Sequence, residues 1–75
     1  MLEAIGKELK IIRIRKNLDI SDVANKLNCH VETIKRWEKN SKGLSLEKLE
    51  ELLDFYNIDK IIFFNEVCED MHETN

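Results

Sequence analysis

The sequence predicts an all-α protein on three observations. Apolar residues recur at helical spacing in five stretches of the 75-residue chain. The breaks between them carry asparagine, serine or glycine, and no stretch shows the period-two alternation of a strand. Proline is absent, as are internal repeats and low-complexity linkers, so residues 1–75 read as a single domain.

Ile5, Leu9, Ile12 and Lys16 fall at helical spacing and predict a first helix over about 3–16, ended by "NL". Asp19 is placed to cap a second helix at about 20–27, with Asp22 three residues on as its capping-box partner and Val23, Ala24 and Leu27 facing inward. A corner at Asn28, Cys29 and His30 leads into a third helix at about 31–39. There Ile34 and Trp37 face the core, while Val31, Glu32, Lys35, Arg36 and Lys39 point elsewhere. "NSKG" breaks the pattern. Ser45 then caps a fourth helix at about 46–56, whose expected buried stripe is Leu46, Leu49, Leu52, Leu53 and Tyr56. After "NID", Lys60 to about Phe64 predicts a short fifth helix, and residues 65–75 lack decisive periodicity and read as a mostly irregular acidic tail.

Composition bounds the function. A chain this short buries only about 60% of its unfolded surface, so its core is small. With 43% hydrophobic and 36% charged residues it is neither disordered nor membrane-embedded. The run "IIFF" falls far short of the ~20 apolar residues that span a bilayer, and the charged first 16 residues do not make a signal peptide. Cys29 and Cys68 form no CxxC pair and read as free thiols of a reducing cytoplasm.

The net charge of −3 conceals an asymmetry. Residues 1–43 hold ten basic and six acidic side chains, a balance of +4; residues 44–75 hold two and nine, a balance of −7. Such a dipole can orient a molecule toward a polyanion and keep its rear face away. The plainer explanation is a solvated acidic tail.

Two helices meeting at a tight corner, the second amphipathic with basic residues on its free face, make a helix-turn-helix, in which the first helix braces and the second enters the major groove. Over roughly residues 5–64 the chain resembles the phage-repressor and Cro-type (XRE-like) regulators. The resemblance is carried by "IGKELKIIRIRKNLDISDVANKL", by "NCHVETIKRWEKN" and by "LSLEKLEELLDFYNID" followed by "IIFF". It implies a compact five-helix bundle of the lambda-repressor-like kind that binds a double-stranded operator as a homodimer. It also implies a partly buried ion pair between Arg13 and Glu38, tying the brace to the recognition helix.

The chain departs from that family at several positions. Asn28 stands for the glycine that often opens the turn, and tolerates the left-handed conformation nearly as well. Cys29 occupies the place of a small apolar core residue, and His30 that of a Ser or Thr cap. Ile20 replaces a frequent glutamine that touches the DNA backbone, which removes a polar phosphate contact. Leu44 stands where a proline is common, and Ile11 and Ile14 fill positions that are often polar, enlarging an apolar surface patch.

The first turn of a recognition helix reaches deepest into the groove, so Val31, Glu32 and Arg36 are the expected base readers. Arg36 suits guanine O6 and N7, Glu32 a cytosine amino group and Val31 a thymine methyl; Glu32 is equally explained as an acid facing the helix N-terminus. Asp19, Thr33, Lys35, Lys39 and Lys42 are the expected DNA-backbone residues. In "KIIFF", one short helix cannot bury every face of Ile61, Ile62, Phe63 and Phe64, so this run is the expected dimerisation surface; the alternative is a plug at the base of the bundle.

No catalytic constellation and no phosphate-cradling glycine loop is present, which argues against an enzyme. No His or Cys spacing suits a metal, and no cofactor is expected. The sequence therefore predicts a sequence-specific DNA-binding transcription regulator, repressor-like and dimeric, open to control by a protein partner. The alternative is a protein-interaction module of antitoxin-like or anti-regulator type, which Ile20, Val31, Glu32 and the acidic C-terminal half favour.

Overall fold

The corners of the fold are set where the chain adopts a left-handed backbone. Asn17, Asn28, Ser41 and Asn57, with φ between 53° and 59°, each stand at or beside the end of a helix. The computed structural model describes the backbone of residues 1–73 and the side chains of residues 1–69. The helices are α1 (Leu2–Arg15), α2 (Ile20–Leu27), α3 (Val31–Asn40), α4 (Leu46–Tyr56) and α5 (Lys60–Glu73).

The three asparagines work alike. The residue after each of them donates its N–H back to a carbonyl five residues earlier: Leu18 to Arg13 at 3.1 Å, Cys29 to Ala24 at 2.9 Å and Ile58 to Leu53 at 2.9 Å. Each asparagine N–H bonds a carbonyl three residues back, which completes the Schellman pattern. Leu18, Cys29 and Ile58 then pack against the core. A short polar residue that tolerates φ > 0, followed by an apolar one, thus turns the chain inward at three corners.

One core draws on all five helices: Ile5, Leu9 and Ile12 from α1; Val23, Ala24 and Leu27 from α2; Ile34 and Trp37 from α3; Leu49, Leu52, Leu53 and Tyr56 from α4; Phe63 and Val67 from α5. α1 packs along α3 and α5, while α2 rests on α3 and α4. Cys29 is half-buried as a filler beside this core.

Two expectations need correction. Leu46 does not join the buried stripe of α4: it is the first residue of that helix and is 65% exposed. The fifth helix does not stop near Phe64, and the residues after it are not irregular, for α5 continues to Glu73. Phe63 and Val67, four residues apart and both sealed from solvent, form its inward seam. A seam of about one apolar residue per turn, set among polar ones, leaves little periodicity for a sequence to show. Residues 74 and 75 lie outside the described residues.

Ser45 caps α4 by accepting from the Lys48 N–H at 3.1 Å, and Asp59 Oδ1 accepts from the Ile61 N–H at 2.8 Å as α5 begins. Tyr56, the chain's one tyrosine, is 2% exposed at the end of α4. Burial pushes its phenol well above the ordinary value near 10; the Glu38 charge adds to the shift and Arg13 opposes it. Because the folded-state value is raised, this contribution to stability is whole below about pH 10, the unfolded value, and is lost as pH climbs toward the folded one. Alkaline titration followed at the tyrosinate absorbance should therefore show no ionisation until the protein unfolds. A normal titration near pH 10 in a protein whose helical signal is intact would contradict this burial.

Candidate nucleic-acid interface

The placement of α3 begins with what lies behind it. Ile34 and Trp37 sink into the core at 1% and 6% exposure, and α1 comes close enough that Gly6 has no substitute. A Cβ at Gly6 would stand 2.6 Å from the Trp37 carbonyl oxygen and 2.9 Å from that of Glu38. Both obstacles are backbone, so any side chain there would push the two helices apart.

Polar ties fix the register of this contact. Arg13 Nε donates to Glu38 Oε2 at 2.7 Å and its Nη2 to Oε1 at 3.2 Å, while Nη1 donates to the Leu18 carbonyl at 2.8 Å. The Arg13 and Glu38 side chains are 11% and 6% exposed, so the pair is largely shielded from water. The hydrogen bond that Arg13 donates to Glu38 raises the Arg13 pKa, against partial desolvation, so the guanidinium stays charged. At the far end of α3, Ser41 is buried in a left-handed conformation and its Oγ donates to the Leu2 carbonyl at 2.8 Å. α1 therefore holds α3 through its last turn and C-terminal cap, residues 37–41.

The opposite face of α3 is open. Glu32, Lys35, Arg36 and Lys39 are exposed, Val31 is 38% exposed at the first turn and Thr33 is half-buried. Glu32 and Lys35 approach to 3.7 Å, an exposed pair worth about 0–1 kcal/mol that is easily exchanged for another partner. His30 precedes the helix in an extended conformation without a side-chain cap bond, and its carbonyl accepts from the Thr33 N–H at 3.0 Å. Lys42 is exposed just beyond Ser41.

Asp19 sits differently from the other residues assigned to the DNA backbone. Its N–H donates to Asp22 Oδ2 at 2.9 Å within a reciprocal capping box. Two carboxylates at the start of α2 serve the helix dipole and repel a phosphate. The dimerisation set is also divided. Phe63 is 1% exposed and Phe64 packs against the core, while Ile61 and Ile62 are 71% and 59% exposed. The run is thus half plug and half free surface.

Sequence reasoning missed Gly6, Ser41 and Lys10. The first two act through backbone approach and a carbonyl on another helix, which no spacing reveals. Lys10 lines a notch with Arg13, Ile20, Lys35, Glu38 and Lys39 where α1, α2 and α3 meet; its place one turn before Arg13 on α1 is the signal that was available. No described helix is long and apolar enough to cross a membrane.

The short α2, the left-handed corner and the anchored α3 with its charged outer face make a helix-turn-helix, an architecture whose second helix serves to enter the major groove of DNA. Comparison with known proteins leads to the same class. The chain belongs to the helix-turn-helix family, of the phage-repressor and Cro type, whose family model matches residues 9–63; it is a DNA-binding transcription regulator. A point mutant of the Restriction-Modification Controller Protein C.Esp1396I is similar in structure, with 26% sequence identity and a TM-score of 0.82 over 91% of each chain. A second point mutant, in a trigonal crystal form, shows 26% identity and a TM-score of 0.83 over 93% of each chain. The wild-type protein in a triclinic form has a TM-score of 0.87 at 24% identity, over 99% of this chain and 96% of that one. No curated protein matches the chain in sequence.

Removing one partner of a shielded ion pair leaves the other charge stranded, at a cost of about 3–5 kcal/mol. Glu38→Ala should lose stability on that scale in urea unfolding. An unchanged midpoint would mean that water, rather than Glu38, satisfies Arg13.

Proposed function

We propose that the protein is a cytoplasmic repressor that binds an operator as a homodimer, with α3 in the major groove. The observation that carries this reading is the two-sidedness of α3: Ile34, Trp37 and Glu38 hold it to the bundle, and Glu32, Arg36 and Lys39 face solvent together. Likeness to a restriction-modification controller protein supports a role in controlling genes rather than in catalysis.

Val31, Glu32 and Arg36 read base edges. Val31 and Glu32 belong to the first turn of α3, and Arg36 follows Glu32 by four residues on the same face. Thr33, Lys35, Lys39 and Lys42 attach the helix to phosphates. Asp19 acts on the backbone only indirectly, by fixing the start of α2 through its cap. Arg36→Ala should cost about 1–3 kcal/mol of binding and relax preference at one base pair. Lys39→Ala should weaken all sequences alike and lower the salt slope by about 1. Binding to an operator selected from a random pool, and to its single-pair variants, separates the two effects; equal losses on every sequence would make Arg36 a phosphate contact. A parent chain with no salt-dependent affinity for duplex DNA would favour the protein-interaction reading instead.

Dimerisation uses Ile61 and Ile62, whose neighbours Phe63 and Phe64 are turned inward. A second copy covering this pair would set two recognition helices about 34 Å apart, one helical turn of DNA. Ile61→Glu combined with Ile62→Glu should leave the fold intact and yield a monomer by sedimentation at high micromolar concentration. A parent chain that is already monomeric there, with and without operator, would end the dimer proposal.

A further inference from the structure

Three lysines from two helices converge on one concavity. The notch has a volume of about 340 Å³ and is walled by Lys10 and Arg13 of α1, Ile20 of α2, and Lys35, Glu38 and Lys39 of α3. At ~30 Å³ per water it has room for on the order of ten waters, enough for a phosphodiester group that keeps part of its hydration.

The charges in the notch are not balanced from within. Both Glu38 oxygens are taken by Arg13, at 2.7 and 3.2 Å, and Arg13 gives a third N–H to the Leu18 carbonyl at 2.8 Å. That pair is neutral as a unit, so the positive charge left over belongs to Lys10, Lys35 and Lys39, three ammonium groups against the one nearby carboxylate of Asp19, which acts on Arg13 from the start of α2. Lys35 has Glu32 at 3.7 Å, with both side chains more than half exposed, an attraction that water and salt weaken. Like charges gathered around one concavity raise the local potential and draw an anion to it.

The chemistry of the walls narrows the anion. Ile20 offers no side-chain donor, and three of the five guanidinium N–H groups are already taken, so the ligand is met mainly by ammonium groups acting as point charges. That mode suits a phosphate oxygen, whose recognition needs charge more than a fixed fork. Lys39 also belongs to the exposed face of α3 that carries Glu32 and Arg36, so a duplex lying on that face brings a strand past the notch.

We propose that the notch seats one backbone phosphate of the DNA and that Lys10, from the brace helix, is a ligand to it beside Lys35 and Lys39. The proposal rests on the DNA-binding reading above and adds to it a residue from outside the recognition helix. It also accounts for the apolar Ile20: the phosphate contact expected from the start of α2 is supplied by lysines on either side of it.

The test is the salt dependence of binding to a selected operator and to random duplex DNA. Lys10→Gln should lower affinity by the same factor on both and reduce the slope of log K against log salt by about 1, whereas Lys10→Arg should keep the parent slope. Lys26→Gln removes the same unit of charge from the side of α2 that faces α4, where its ammonium lies 5.9 Å from the Phe55 ring centre, and should leave the slope unchanged. If Lys10→Gln and Lys26→Gln give the same slope while the parent still binds with a clear salt dependence, Lys10 touches no phosphate and the proposal is overturned with the DNA-binding reading intact. If the parent shows no salt-dependent binding at all, that reading fails and the notch assignment fails with it.

Discussion

The bidentate pair between Arg13 and Glu38 is the constraint on which the rest of the interface depends. Its two hydrogen bonds and the third, from Arg13 to the Leu18 carbonyl, join the brace helix, the recognition helix and the turn that leads into α2 through one guanidinium. Such a pair contributes less net stability than its short distances suggest, because both ions gave up hydration to form it. What it supplies is register: a planar fork meets a carboxylate in few geometries. Gly6 makes the same demand from the steric side, since the backbone of α3 occupies the space that a side chain would need. With Ser41 bonded to the Leu2 carbonyl, α3 has little freedom to rotate or slide. A helix that must present Glu32 and Arg36 at fixed positions in a groove requires that rigidity, and it comes from residues that never face the groove.

The distribution of charge divides the molecule by task. With Arg13 neutralised inside the bundle, the notch and the outer face of α3 still gather Lys10, Lys35, Arg36 and Lys39 from the basic first half of the chain. The acidic residues of the second half lie on α4, on α5 and, for Asp59, in the turn between them, and Glu50 and Glu51 meet Lys60 and Lys48 at 3.5 and 3.3 Å. A uniformly basic protein of this size would bind DNA in many orientations. Placing the excess negative charge on other helices penalises those that turn α4 or α5 toward the phosphates. The net charge of −3 is therefore compatible with a polyanionic partner.

Legibility in the sequence followed the range of the interaction. The boundaries of α2 and α4 could be read because their determinants are local: Asp19 with Asp22, Ser45 with the Lys48 amide, and an asparagine followed by an apolar residue at each C-terminus. The inward residues of α3 were legible from 3.6-residue spacing. The pairing of Arg13 with Glu38 spans 25 residues, and only the family resemblance suggested it. Gly6 and Ser41 were silent because their partners are carbonyl groups, which every residue possesses. α5 was misjudged for a different reason: Val67 alone marks its later inward face among the described side chains, and one residue does not make a period. Leu46 was misjudged because spacing cannot tell the first turn of a helix, still open to solvent, from the turns behind it.

Ile61 and Ile62 show how the two halves of a motif can be given to different tasks. In "IIFF" a helix advances 100° per residue, so four consecutive apolar residues cover most of its circumference. The core takes Phe63 and part of Phe64, with the two rings edge-to-face at 5.4 Å. Ile61 and Ile62 remain outside because the same helix cannot turn them inward without expelling Phe63 and Val67. Fully burying one isoleucine side chain is worth about 1.5–3 kcal/mol, so leaving two of them in water forgoes a stabilisation that a second surface could supply. A chain of 75 residues has few apolar side chains to spare from its own core, and placing two beyond its reach on one helix sets α5 apart from α2 and α4. The helix thus closes the bundle on one side and offers an unfilled apolar surface on the other.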